Sequence, residues 1–157
     1  MRIISKTSKE KKVIDETKKH IAQVGENIDK VINVLKQKAK DHDKSKLEKE
    51  EFPGFLEYTD KLEHSTYGSD EYKEFLKGLK PTLDHHYSVN SHHPEYHKDG
   101  IDGMTLIDLV EMYCDWLAAT KRHRDGDISK SIEINQKRFK MNDQLVNIFK
   151  NTANEIK

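Results

Sequence analysis

The sequence is poor in cysteine: Cys114 is the only one in 157 residues. A single thiol forms no internal disulfide and no cysteine-based zinc site, so any metal ion must be held by His, Asp or Glu. Runs of about 18 apolar residues, the length that spans a bilayer, are also missing. The stretch from Met1 to Glu10 lacks the apolar run of a secretory signal. We therefore predict a cytoplasmic protein with no membrane partner.

An excess of charge of one sign is absent as well. Lys plus Arg and Asp plus Glu number 28 each, so no overall field favours nucleic acid or an anionic membrane as a partner. The sequence has no glycine-rich phosphate loop, no nucleophile elbow and no Cys-His pair at motif spacing. P-loop, serine-hydrolase and thiol mechanisms therefore have no support.

Apolar residues recur at helical spacing along most of the chain. From Val13 to about Lys38 they alternate at intervals of three and four, which predicts one long amphipathic helix. Strand-like alternation is not found. We predict an all-α protein, a single domain over residues 1–157 with five to six helices, in which residues 1–10 form a flexible arm.

Local signals place the other elements. We predict a short helix and an irregular turn over 41–58 with a break at Pro53, and a helix from Ser69 or Asp70 that Pro81 kinks or splits. A loop is predicted over 87–104. Thr105 is expected to cap a helix that runs to Thr120, and the last two helices are predicted at 128–139 and 142–155.

Histidine is concentrated in one segment. Five of the nine histidines fall in the run HHYSVNSHHPEYH, at positions His85, His86, His92, His93 and His97. Neutral imidazole is the commonest metal ligand in proteins, so clustered pairs favour a metal site over a solvated polar loop. Adjacent side chains diverge, which leaves the choice within each pair open. We carry forward His86 and His93 as the candidates.

The predicted helix from Leu106 has an acidic stripe. Its only charged residues are Asp108, Glu111 and Asp115, whose spacing of three and four puts them on one side. The helix dipole accounts for acids near the amino end, but Asp115 lies too far along the helix for that explanation. We predict Asp115 as a metal ligand, and Glu111 as a ligand or as a residue that orients a histidine ligand.

Two further histidines precede the cluster. His20 lies at the border of the apolar face of the first predicted helix, where a lone histidine is usually structural. After that helix the chain reads Asp41-His42-Asp43-Lys44-Ser45-Lys46. A neighbouring His-Asp pair is common by chance, so His42 and Asp43 indicate a metal site only in combination with the histidine cluster and Asp115.

The ordered set resembles the HD superfamily of metal-dependent phosphohydrolases, all-α proteins with the pattern His, His-Asp, Asp. The resemblance implies His20, His42, Asp43 and Asp115 as ligands of one ion. In two-metal members, histidines between the His-Asp pair and the last Asp bind a second ion, and Asp43 would then bridge the two. The Gly-Tyr-Pro segment of the members that degrade cyclic dinucleotides is absent here.

The sequence is more closely similar to an uncharacterised HD-like family of bacterial and phage proteins. The matching text is HDKSK, HHYSVNSHH and EMYCDW, in this order, within His20 to Trp116. This family has no established activity to carry over. The resemblance to the wider HD superfamily implies one or two divalent ions (Mn, Fe, Co, Ni, Zn or Mg, which the ligand types do not distinguish) and hydrolysis of a phosphate ester, with a nucleotide or related small molecule as substrate.

Roles for individual residues follow from the same resemblance. Asp43 and Lys46 are the candidate catalytic residues, and Lys46, Asn90 and Arg122 are candidate contacts to substrate phosphate or base. Two alternatives remain: a metal- and nucleotide-binding protein without turnover, and an interaction module. In the latter the seam of the first helix would form a homodimer, although one buried core face explains the seam equally well.

Overall fold

A computed structural model describes residues 7–65, 69–121 and 126–156. Within these ranges the chain forms helices and no strand, which confirms the predicted all-α class with its count of five to six helices. The α-helices are α1 (Ser8–Asp41), α2 (Phe52–His64), α3 (Asp70–Val89), α4 (Leu106–Thr120), α5 (Ile128–Phe139) and α6 (Asp143–Glu155). Short 3₁₀ helices lie at Lys44–Leu47, Pro94–Tyr96 and Gly100–Gly103.

The chain divides into two compact units, residues 1–40 and 41–157. The first unit is helix α1, whose start is fixed by a reciprocal cap: the Glu10 carboxylate accepts from the Thr7 backbone N–H at 2.6 Å, and Thr7 Oγ1 accepts from the Glu10 N–H at 3.2 Å. No residue of α1 is buried, and Ile21 on its apolar seam is 63% exposed. The single-domain and homodimer assignments both stay predictions.

Side-chain caps fix two of the predicted helix starts. Ser69 Oγ accepts from the Tyr72 N–H at 3.1 Å at the start of α3. At the start of α4, Thr105 and Asp108 cap each other's backbone N–H at 3.1 and 3.2 Å. Asp108 is thereby assigned to the cap of α4, as the helix-dipole explanation expected.

Two local predictions were wrong, and a third was only partly tested. Pro53 lies in the first turn of α2 and begins that helix, because a first-turn residue needs no backbone N–H. Pro81 lies inside α3, which runs unbroken to Val89, so the helix is not split there, and the predicted kink stays a prediction. The loop therefore begins later than predicted, after Val89, and His85 and His86 both lie within α3, with His86 in its last turn.

The core of the second unit is built by α4, α5 and α6. The ring of Tyr113 stacks on that of Phe149 at 5.4 Å, and Trp116 meets Phe149 edge-on at 5.6 Å. Ile132 of α5 is fully buried beside them. Packing of α4 against the last two helices turns its acidic stripe away from this core. None of the described helices is long and apolar enough to cross a membrane.

Ile132→Ala is expected to lower the free energy of unfolding by about 2–5 kcal/mol, because the lost methyl and methylene groups leave a cavity in a fully buried position. Urea denaturation followed by Trp116 fluorescence measures the change. Ile134→Ala is the matched control on the same helix: Ile134 is 66% exposed, so its removal should change stability by less than about 0.5 kcal/mol. Equal effects of the two substitutions on stability would contradict the placement of Ile132 in the core.

Candidate metal centre

The His-Asp pair lies where the chain leaves α1. The helix ends at Asp41, and Asp43 has a φ of 57°, in the left-handed region that Asp and Asn tolerate better than most residues. The backbone then enters the 3₁₀ helix Lys44–Leu47. Lys46 lies in this 3₁₀ helix, three residues after Asp43. The sharp turn directs both the His42 and Asp43 side chains towards the elements that carry the other histidines.

One oxygen of Asp43 faces several imidazole nitrogens. Asp43 Oδ1 lies 3.3 Å from His86 Nε2 and 3.4 Å from His92 Nε2, and His93 Nε2 lies 3.0 Å from His86 Nε2. Donor atoms bonded to a tetrahedral ion at about 2.0–2.1 Å stand about 3.3 Å apart. These four residues therefore form a group whose donor atoms have the spacing of a coordination shell.

The second oxygen of Asp43 belongs to another group. His42 Nε2 lies 3.5 Å from Asp43 Oδ2 and 3.6 Å from Asp115 Oδ1, which brings the predicted acid of α4 to the His-Asp pair. Each of these three residues has one potential donor atom, and the three atoms lie within 4.8 Å of one another. Asp43 is thus shared between two sets of potential ligands, one on each carboxylate oxygen.

The outer ring nitrogens of these histidines face two buried carboxylates. Glu111 Oε1 lies 3.1 Å from His42 Nδ1 and 3.4 Å from His92 Nδ1. Glu51 makes the equivalent pair with His86 Nδ1 at 2.8 Å and His85 Nδ1 at 2.9 Å. The Nε2 atoms of His42, His86 and His92 consequently point inwards to Asp43, while their Nδ1 atoms point outwards to carboxylates.

Electrostatic interactions in the centre favour charged acids. Burial alone would raise the pKa of Asp43, but the nearby His86 ring and the hydrogen-bonded Lys46 ammonium hold it well below its usual range. Burial likewise opposes ionisation of Asp115, and the hydrogen bond from His42 outweighs it and lowers the pKa. The same partners act on His42: Asp115 and then Glu111 raise its pKa to about 10. The two acids are therefore ionised near neutral pH, in contact with positively charged partners.

His93 has the opposite shift. Burial, followed by the neighbouring His92 and His86, lowers its pKa to about 3. Near neutral pH the ring is therefore uncharged, which is the form that donates a lone pair to a metal ion.

Buried polar atoms without hydrogen-bond partners also indicate a bound cation, independently of the spacing of the donor atoms. Asp43 Oδ1 and His92 Nε2 are buried and make no hydrogen bond within the described part of the chain. Buried polar atoms without a partner are costly, and a cation bound between them would satisfy both. The donor set of imidazole and carboxylate suits the first-row divalent ions.

Lys46 contacts the centre directly through Asp43. Its Nζ lies 2.6 Å from Asp43 Oδ2 and 5.2 Å from the centroid of the Phe55 ring. The side chain is 35% exposed, so the ammonium group lies at the rim with one side open to solvent.

The structure brings together most of the residues predicted as ligands, namely His42, Asp43, His86, His93 and Asp115. His20 is an exposed residue of α1, in the first unit, and its role as a ligand stays a prediction. Of the candidate substrate contacts, Lys46 lies at the rim, Asn90 is hydrogen-bonded to Ser45 and His86, and Arg122 lies outside the described residues. The ligand and substrate roles themselves stay predictions.

Sequence analysis missed Glu51 and chose only one histidine of the pair His92 and His93. Both His92 and His93 face the centre, because the loop turns between Asn90 and Pro94 instead of leaving the two side chains to diverge. Glu51 was not considered, since nothing in the charged run from Glu48 to Glu51 sets it apart from its neighbours. His97 is held by the loop itself, with Nε2 2.8 Å from the Ser91 carbonyl oxygen.

The fold and the centre together define an all-helical protein with a buried histidine and carboxylate cluster able to hold a metal ion. The chain belongs to the family described as "Family of unknown function (DUF5662)", whose model matches residues 9–155. No curated protein and no solved structure matches it.

Proposed function

We propose that this protein is a metal-dependent phosphohydrolase that cleaves a phosphate ester, with a nucleotide or a related small phosphate as substrate. The convergence of three Nε2 atoms on the two oxygens of Asp43 is the observation that carries the proposal. The HD-like order of motifs, which the sequence carries in HDKSK and EMYCDW, supports the reaction class. Membership of the HD superfamily is itself part of the proposal.

The residues divide into those that hold the ion and those that meet the substrate. One or two divalent ions would be held by the predicted ligands His42, Asp43, His86, His93 and Asp115, together with His92. A bound ion would supply Lewis-acid chemistry, polarising a phosphoryl oxygen and lowering the pKa of water.

Lys46 has the position and charge to meet the phosphate. Its ammonium group already pairs with a carboxylate oxygen at 2.6 Å, and a phosphate oxygen is a similar acceptor. Because the side chain lies at the rim, a substrate can reach it without opening the core. Asn90 and Arg122 remain proposed contacts to the remainder of the substrate.

Two measurements on the purified full chain test the proposal. Elemental analysis and titration with Mn²⁺, Fe²⁺, Co²⁺, Ni²⁺ and Zn²⁺ should show binding of one or two ions per chain. A screen of nucleoside mono-, di-, tri- and cyclic phosphates should then show phosphate release that EDTA abolishes. Absence of metal binding overturns the proposal, and metal and nucleotide binding without turnover replaces it with a sequestering protein.

Lys46→Met should reduce turnover by about 10- to 1000-fold while leaving metal content at one or two ions, because methionine keeps the apolar packing against Phe55 and removes only the charge. Steady-state kinetics and elemental analysis on the same preparation check both halves. Lys44→Met is the matched control, since Lys44 is an exposed residue paired with Asp41 at 2.6 Å. Unchanged turnover in the Lys46 variant would remove this residue from the mechanism.

A further inference from the structure

We infer that Glu51 is a positioning residue that sets the tautomer of His86, so that the Nε2 lone pair of this ring points to the ion. The inference rests on the proposed metal centre and adds a residue that the ligand motifs do not contain. Glu51 is fully buried, 8 residues beyond Asp43 in the chain, and its side chain belongs to none of the potential ligand groups.

The tautomer follows from the chemistry of the two partners. A carboxylate only accepts hydrogen bonds, so the nitrogens that face its oxygens must carry hydrogen. Glu51 Oε2 lies 2.8 Å from His86 Nδ1, and Oε1 lies 2.9 Å from His85 Nδ1. With hydrogen on Nδ1, a neutral His86 can give its Nε2 lone pair to a bound ion in place of the contact to Asp43 Oδ1, which lies 3.3 Å from this atom.

At Nδ1 of His86, the neighbouring amide does not compete with Glu51. The amide of Asn90 also approaches His86 Nδ1, at 3.1 Å. Its two N–H groups, however, have better acceptors in Ser45 Oγ and the His86 carbonyl oxygen, each at 2.8 Å. Burial opposes ionisation of Glu51, but hydrogen bonds from His85, His86 and Ser45 outweigh it and lower its pKa, which keeps the residue an acceptor.

The same device occurs a second time on the other side of the centre. Glu111 faces Nδ1 of both His42 and His92, as Glu51 faces Nδ1 of His85 and His86. Outer carboxylates that accept from the free nitrogen of a ligating histidine fix the ring and strengthen the ligand. Two such carboxylates, supplied by different parts of the chain, orient three of the imidazoles around Asp43.

The tautomer can be measured directly in the metal-free protein by long-range ¹H–¹⁵N correlation of the histidine rings, assigned with His85→Asn and His86→Asn. In the unaltered chain both rings should carry hydrogen on Nδ1. In Glu51→Leu neither ring has this acceptor, and His86 should shift towards the Nε2–H form. In Glu51→Gln a single carbonyl oxygen can accept from only one ring, so at least one of the two should change.

Metal affinity gives the second readout. Titration with Zn²⁺ should show a 10- to 100-fold weaker affinity for Glu51→Leu, a smaller loss for Glu51→Gln, and no change for Glu50→Gln, which removes one charge from an adjacent, more exposed side chain. Should Glu51→Leu fail to fold, the ring signals of Glu51→Gln decide the matter.

The outcomes separate this inference from the proposed function. Zn²⁺ binding by the unaltered chain with both rings still Nδ1–H in every folded Glu51 variant overturns the role of Glu51 and leaves the metal centre standing. Failure of the unaltered chain to bind any divalent ion overturns the metal centre, and with it the purpose that we assign to the tautomer.

Discussion

Asp43→Asn is expected to abolish tight metal binding and, with it, phosphate release. Loss of an outer-shell partner alone weakens metal affinity about 10- to 100-fold, so loss of a charge shared by two ligand groups should exceed about 100-fold. Both oxygens of Asp43 lie within 3.3–3.5 Å of imidazole nitrogens that point inwards, which no other acid of the centre matches.

Asparagine makes this test specific for charge. The residue at position 43 has a φ of 57°, and asparagine is the residue that, with aspartate, best tolerates the left-handed region. The substitution therefore preserves the turn between α1 and the 3₁₀ helix Lys44–Leu47. Circular dichroism should show unchanged helicity, while isothermal titration with Zn²⁺ or Mn²⁺ shows the loss.

The matched control is Asp41→Asn, two residues earlier. It makes the same chemical change in an exposed side chain that pairs with Lys44 at 2.6 Å, and exposed pairs of this kind contribute about 1 kcal/mol or less. Metal binding by Asp41→Asn should equal that of the unaltered chain. If Asp43→Asn also binds metal as the unaltered chain does, the centre is not built around Asp43.

Periodicity and caps made most of the helices predictable. The bounds of α4 and α5 follow from Thr105, Asp127 and the turn residues after each helix, because side-chain caps are local interactions. Pro53 was misjudged for a related reason. The effect of a proline depends on whether its missing N–H falls in the first turn or deeper in the helix, and this requires the helix start to be known first.

The centre was predictable to the extent that its ligands form local patterns. His42-Asp43 and the paired histidines are short motifs, and Asp115 stood out on a helix with few charges. Glu51 has no such pattern, since its role depends on the packing of α2 and the adjoining 3₁₀ helix against α3. Whether one or both members of a histidine pair face inwards depends on loop geometry, which residue spacing does not specify.

The metal-free protein is expected to lose stability as the pH rises from 7 to 8.5, and the metal-loaded protein is not. The cause is His42, whose pKa is raised from 6.5 to about 10 by Asp115 and Glu111. A raised pKa adds stability that is complete below pH 6.5 and is lost progressively as the pH approaches 10. Asp43 and Asp115, whose pKa values are lowered, titrate at acid pH and contribute nothing to this window.

The expected size follows from the linkage relation. A group that is protonated in the folded protein but not in the unfolded chain lowers the free energy of unfolding by about 1.4 kcal/mol for each pH unit of increase. His42 is partly exposed, and solvent screening makes its pKa shift smaller, so we expect about half of this slope between pH 7 and 8.5. For a chain of this length, that corresponds to a fall in melting temperature of about 2 °C per pH unit. Differential scanning fluorimetry of Trp116 at pH 7.0, 7.5, 8.0 and 8.5, in EDTA and in Zn²⁺, measures both slopes.

Coordination removes the slope because an ion on His42 Nε2 takes the place of the proton. His42→Asn should therefore flatten the curve in EDTA, whereas His64→Asn, in an exposed histidine paired with Asp60, should leave it steep. The raised pKa of the Cys114 thiol gives a slope of the same sign near pH 8.5, so all comparisons are made in a Cys114→Ser background. A slope in EDTA that survives His42→Asn would show that His42 is not the proton-binding residue of the metal-free centre.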